Sequence, residues 1–205
     1  MIDTIVCVLK SGSTVYNEKY VNKLMDSLSH YGKEMICLTD LDVTFNNCRT
    51  EKLRHNYPGW WSKIELFDHP SLDSKNVLYF DLDTIVKDDI SDILSYDHQF
   101  TMISGFLKHK PNSCVMAFKG GQYRHIAESF DIGIIDQYLE LDRLGDQAFI
   151  REHVGHDIQM FQDMFPNHFS SFKLSDKSLI EQCSVVCFHG RPRPHEVNWN
   201  WKVVK

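Results

Sequence analysis

The stretch "NVLYFDLDTIV", residues 76–86, decides the fold. Val77 to Phe80 form an unbroken apolar run of the kind a buried strand shows, and Asp81 and Asp83 follow one residue apart at its end. In open α/β sheets, ligands bind outside the carboxyl ends of the strands, so this placement favours a working pair of carboxylates over surface decoration. Two acids at the mouth of a buried strand need a counter-charge. Hard oxygen ligands suit Mg²⁺ or Mn²⁺, whose shells substrate phosphates commonly complete.

Upstream of that stretch, Thr4 to Leu9 reads as a buried strand, followed by the polar loop "KSGSTVYNE". Val21, Leu24, Met25, Leu28 and Tyr31 recur at helical spacing, and Gly32 supplies the stop. Met35 to Leu38 is a second buried strand, so the first forty residues form a βαβ unit with neighbouring parallel strands. "PGWWSKIELF" predicts a helix opening near Pro58. Downstream, Phe100–Ser104, Val115–Phe118, Phe172–Leu174 and Val185–Phe188 read as strands. Helices are expected around Gln122 to Phe130, from Asp146, and over "HDIQMFQD". The expectation is one domain over residues 1–205. A nucleotide-binding half (1–83) ends in the paired aspartates, an acceptor and catalytic half spans 84–190, and a tail spans 191–205.

A chain of 205 residues can bury a core without disulfide staples. A net charge of -6 argues against binding nucleic acid chiefly through phosphates, although "HGRPRPH" is locally basic. The six cysteines lack CxxC spacing, and Cys7, Cys37 and Cys114 lie in apolar runs, so they read as structural thiols in a reducing compartment. The start "MIDTIVCVLK" lacks the basic region of a signal peptide, and no run approaches the ~20 apolar residues of a membrane helix. A cytoplasmic location without stable membrane insertion is expected.

Two enzyme classes use an aspartate pair of this kind. "FDLDTI" resembles the opening motif of haloacid dehalogenase-like phosphatases, which would make Asp81 a nucleophile on phosphate. That motif usually ends a first strand, and here a complete βαβ unit precedes it. Taken in order, "LYFDLDTIV", "PNSCVMAF", "GDQAFI" and "CFHGRPRP" resemble the landmarks of A-type nucleotide-sugar glycosyltransferases. The likeness is greatest to the glycogenin and bacterial lipooligosaccharide galactosyltransferase group. The chain departs from the group in Cys114, where a glycine is expected, and in the compressed spacing of His189, Gly190, Arg191 and Arg193. A non-catalytic sugar-nucleotide or carbohydrate-binding module is a third possibility.

The resemblance implies an α/β, Rossmann-like A-type glycosyltransferase fold with a mixed, mainly parallel central sheet flanked by helices. It also implies transfer, with retention, from a nucleoside-diphosphate sugar, uridine-based, to a glycan, lipid, protein or modified nucleobase. Mn²⁺ or Mg²⁺ would be held by Asp81, Asp83 and His189, with Asp81 alternatively a ribose contact. Leu9, Tyr16 and Asp40 would meet the nucleoside, Tyr16 by stacking. Lys63, Asn112, Ser113, Gly190, Arg191 and Arg193 would meet the rest of the donor. Asp146 and Gln147 would lie nearest the reacting sugar; in an inverting enzyme Asp146 would instead be the base. Trp60 and Trp61 read as core or pocket wall, and Trp199 and Trp201 as packing for the tail or a sugar platform. His153 and His156 lack the glutamate of a zinc-protease motif.

Overall fold

The computed structural model describes residues 1–142 and 145–197. Among them the strands are β1 (Thr4–Leu9), β2 (Glu34–Thr39), β3 (Arg49–Lys52), β4 (Asn76–Phe80) and β5 (Thr84–Val86), then β6 (Thr101–Ser104), β7 (Pro111–Lys119), β8 (Gln159–Met160), β9 (Phe169–Ser171) and β10 (Val185–Cys187). Seven of these make the central sheet, in the order β3-β2-β1-β4-β7-β6-β8. β7 runs antiparallel to β4 and β6, and the other pairs are parallel. The sheet is therefore mixed and mainly parallel.

Its strand order creates the site. From β1 the chain moves outward to β2 and β3, then returns to lay β4 along the other edge of β1, with Thr4 opposite Val77. The strand order thus reverses between β1 and β4, the kind of switch point where the carboxyl ends of parallel strands leave a crevice. Leu9 ends one of these strands and Asp81 follows the other.

Alternation of side chains along the strands gives both faces a core. Ile5, Cys7 and Leu9 pack with Val21, Leu24, Met25 and Leu28 of the helix Glu18–Leu28. Val6, Ile36 and Leu38 face the other way, toward Trp61, Ile64 and Phe67.

A second, three-stranded sheet, β5-β10-β9, begins directly after the paired aspartates. Thr84 stands opposite Cys187 across β5 and β10, and the Phe188 amide donates to the Asp83 carbonyl at 3.0 Å. This pairing brings a segment from the far end of the chain to the motif.

Four expectations change. "GWWSKIELF" forms a 3₁₀ segment, Gly59–Phe67, in which all residues from Trp61 to Phe67 are buried, so it has no polar stripe for an amphipathic α-helix to show. "HDIQMFQD" yields the edge strand β8 and a one-turn helix, Phe161–Met164, in place of one helix. The strand expected at Phe172–Leu174 lies three residues earlier, because β10 pairs with Phe169–Ser171 and the chain turns after it. The helix expected over 122–130 shortens to Arg124–Glu128. No helix among the described residues is long and apolar enough to cross a membrane.

Candidate active site

A pocket of about 630 Å³ opens at the switch point. Leu9, Tyr16, Lys63, Asp81, Asp83, Asn112, Ser113, Asp146, Gln147, His189, Gly190 and Arg193 all line it. Two expected residues do not, Asp40 and Arg191.

At the pocket floor Leu82, between the aspartates, turns into the core, which leaves Asp81 and Asp83 to face the opening. The turn is fixed by the Asp81 amide, which donates to the Cys114 carbonyl at 2.8 Å, and by the Thr84 amide, which donates to the Asp81 carbonyl at 3.0 Å.

Lys63 ties the acids together. Its ammonium, on a side chain only 5% exposed, lies 2.9 Å from Asp81 Oδ1 and 3.1 Å from Asp146 Oδ2. It also reaches Ser113 Oγ at 3.1 Å, and that hydroxyl donates to Asp146 Oδ2 at 2.6 Å. Burial alone would neutralise the ammonium, but Asp146 and Asp81 outweigh it and hold Lys63 charged, above the ordinary lysine range. Tyr79 donates to Asp81 Oδ1 at 2.5 Å. Burial raises the Asp81 carboxyl above its usual value, against the pull of Lys63.

Asp83 is held from the other side. Tyr16 donates its hydroxyl hydrogen to Oδ2 at 2.7 Å, and Arg193 Nη1 meets the same oxygen at 2.5 Å. Burial first, and the Asp81 charge second, push the Asp83 carboxyl up to about 6, with Tyr16 and Arg193 opposing. Tyr16 is thus engaged through its hydroxyl, with the Arg193 guanidinium 5.1 Å from its ring centre. The strap that carries Arg193 is tied down by a contact between His195 Nδ1 and the Tyr20 hydroxyl and by the buried Pro194. Arg191 points away, 82% exposed, and pairs with Glu196 at 2.6 Å.

Asp40 shapes the pocket from behind. Its carboxylate accepts from Lys10 Nζ at 2.6 Å, from Ser11 Oγ at 2.6 Å and from the Ser11 amide at 2.7 Å. Burial works against the charge, but these donors win and lower the Asp40 pKa to about 2. Asp40 therefore anchors the loop of residues 10–16, whose residues line the pocket. Asn112 spends its side-chain carbonyl on the Cys114 amide at 2.9 Å.

Two carboxylates on one pocket, the second raised partly by the charge of the first, fit a hard divalent cation that relieves their repulsion and takes its remaining oxygens from substrate. His189 does not join them in this arrangement. Its Nε2 is 2.7 Å from Ser171 Oγ and its ring stacks on Phe106 at 5.9 Å between centroids. Among the described residues no group of three or more His, Cys, Asp or Glu is placed to hold a metal ion.

Lys10, Tyr79, Cys187 and the floor position of Cys114 escaped the sequence reading. An apolar run hides which of its thiols and hydroxyls face a pocket. Trp60 and Trp61 divide between the two roles expected of them: Trp61 is core, 2% exposed, and Trp60 lines the pocket, 59% exposed. Trp199 and Trp201 lie outside the described residues.

No protein-family model and no curated sequence matches the chain. Solved structures do match. The glycosyltransferase GlyE of Streptococcus pneumoniae TIGR4, in its apo form, superposes with a TM-score of 0.69 at 15% identity, over 100% of this chain and 57% of that one. The galactosyltransferase LgtC in complex with donor and acceptor sugar analogs gives a TM-score of 0.58 at 13% identity, over 93% of this chain and 88% of that one. A glycosyltransferase involved in glycosylating the major capsid of PBCV-1 gives 0.51 at 10% identity, over 91% of this chain and 93% of that one. The chain spans little more than half the length of GlyE. At such identities the likeness is one of architecture, and on it the chain has the fold of the A-type glycosyltransferases.

Proposed function

We propose that the chain is a glycosyltransferase that moves a sugar, with retention, from a nucleoside-diphosphate sugar, uridine-linked, to an acceptor. The observation that carries this reading is the buried Lys63, which joins Asp81 at the sheet's switch point to Asp146 across one pocket. A nucleoside would lie along Leu9 and the loop that Asp40 anchors. Asp81 and Asp83 would hold Mn²⁺ or Mg²⁺, which when bound supplies Lewis-acid neutralisation of the departing diphosphate. Arg193 stands at Asp83 Oδ2 and would add charge-assisted hydrogen bonds to phosphate once it leaves that carboxylate. Asp146, oriented by Ser113 and Lys63, and Gln147 beside it would hold hydroxyls of the transferred sugar. The strap over Tyr16 and Tyr20 would exclude water that otherwise hydrolyses the donor. Free thiols at all six cysteines support a cytoplasmic setting.

The test is a thermal-shift panel of uridine, guanosine, adenosine and cytidine diphosphates, each with and without Mn²⁺. A ligand that binds only the folded state raises its apparent stability by mass action. Uridine diphosphate with Mn²⁺ is expected to give the largest shift, and Asp83→Ala to abolish the metal-dependent part. No shift with any diphosphate would sink the reading. Binding without release of sugar from any sugar nucleotide would make the chain a binding module.

A further inference from the structure

Two adjacent tryptophans meet opposite fates in the 3₁₀ segment Gly59–Phe67. Trp61 is buried and stacks on Phe130 at 5.1 Å between centroids, while Trp60 presents a 59% exposed side chain to the pocket. The backbone beneath Trp60 is held by the buried residues that follow it, so the indole stands on a rigid base. Its Nε1 edge rests against Gly145, where a Cβ would lie 2.7 Å away. Gly145 directly precedes Asp146 and Gln147, and all three line the same pocket as Trp60.

We infer that the Trp60 indole is the stacking platform for a pyranose ring of a carbohydrate acceptor. The inference rests on the glycosyltransferase reading and specifies the acceptor class, which that reading leaves open. A pyranose has an apolar C–H face and a rim of hydroxyls. Trp60 offers the apolar face, and its contact with Gly145 sets that face beside Asp146 and Gln147, where the transferred sugar would lie and an acceptor hydroxyl must arrive. The nucleobase has its own candidate wall in Leu9 and the loop after β1.

Saturation-transfer NMR on the full chain, with methyl glycosides of galactose, glucose, mannose and N-acetylglucosamine, tests this. Spectra are taken with and without uridine diphosphate and Mn²⁺, on wild type, Trp60→Phe and Trp60→Ala. Ring protons of at least one glycoside are expected to saturate in wild type. Trp60→Phe should keep that affinity within about threefold and Trp60→Ala should lose about tenfold or more, with diphosphate affinity unchanged in both. No glycoside contact in wild type, or equal contact in Trp60→Ala, overturns the inference. So does a loss of diphosphate affinity in Trp60→Ala, which would make the indole a nucleobase shelf. Failure of the donor reading looks different: wild type then binds no diphosphate at all, and the glycoside spectra taken without it still decide the role of Trp60.

Discussion

Arg193 Nη1 lies 2.5 Å from Asp83 Oδ2, so a side chain of the C-terminal strap neutralises the second acid of the motif across 110 residues of sequence. Tyr16 donates to that same oxygen. The arrangement makes the guanidinium and an incoming divalent cation rivals for one carboxylate.

Arg193→Ala is therefore expected to bind Mn²⁺ alone about tenfold more tightly than wild type. A hydrogen bond to a charged group contributes about 1.5 kcal/mol or more, which corresponds to about a factor of ten. The same variant should bind uridine diphosphate less tightly in the presence of Mn²⁺, because a phosphate partner is gone. Titration of Mn²⁺ by its free-ion resonance signal measures the first effect and calorimetry the second. Equal Mn²⁺ affinity in the two proteins would show that the pair does not guard the carboxylate.

Lys63 is the buried cation between Asp81 and Asp146, and removing it leaves two acids without compensation. Lys63→Met should cost about 3–5 kcal/mol of folding free energy, read from urea denaturation. Adding Asp146→Asn should recover part of the loss, since one of the stranded charges is then gone. A double variant less stable than the single one would contradict this account of the lysine.

Much of the fold was legible because it lies in long apolar runs. β1, β2 and β4 each show an unbroken buried stretch, and the motif after β4 marks the switch point that their order creates. The second sheet was not legible in full. β5, β9 and β10 are three residues each, too short for any period to show, and β9 is specified by its partner β10. The 3₁₀ segment misled because every residue from Trp61 to Phe67 is buried, the polar ones included. At the site, residue types were readable but directions were not. Arg191 and Arg193 are two apart in "RPRP", yet one faces solvent and the other Asp83. His189 sits beside the pocket with its Nε2 turned to Ser171, a choice made by the β9 strand that the sequence placed three residues late.

Asp40 gives a prediction in pH. Its folded value near 2 lies below its ordinary 3.8 because Lys10 and Ser11 favour the charged form. A depressed carboxylate contributes stability that is fully present above the unfolded-state value and lost as pH falls through the folded one. Asp40→Asn should thus be less stable than wild type by about 1 kcal/mol at neutral pH, with the gap closing between about pH 4 and pH 2. Thermal melts of both proteins across that range provide the check. A gap that stays constant with pH would assign the loss to packing and not to the charge.

Gly145 joins the Asp146 helix to the pocket rim under two constraints, a backbone φ of +50° and a Cβ position 2.7 Å from Trp60 Nε1. Gly145→Ala should therefore destabilise by about 1–3 kcal/mol for the backbone conformation alone, with a further cost for displacing the indole. The two parts separate in a double-mutant cycle with Trp60→Ala. Once the indole is absent, Gly145→Ala keeps the backbone penalty and sheds the steric one, so the double variant should lose less stability than the sum of the singles. Strict additivity would mean that the indole moves aside at no cost. Coupling would instead fix Trp60 against the residue that precedes Asp146, and so fix the distance between the aromatic platform and the acid that Lys63 and Ser113 orient.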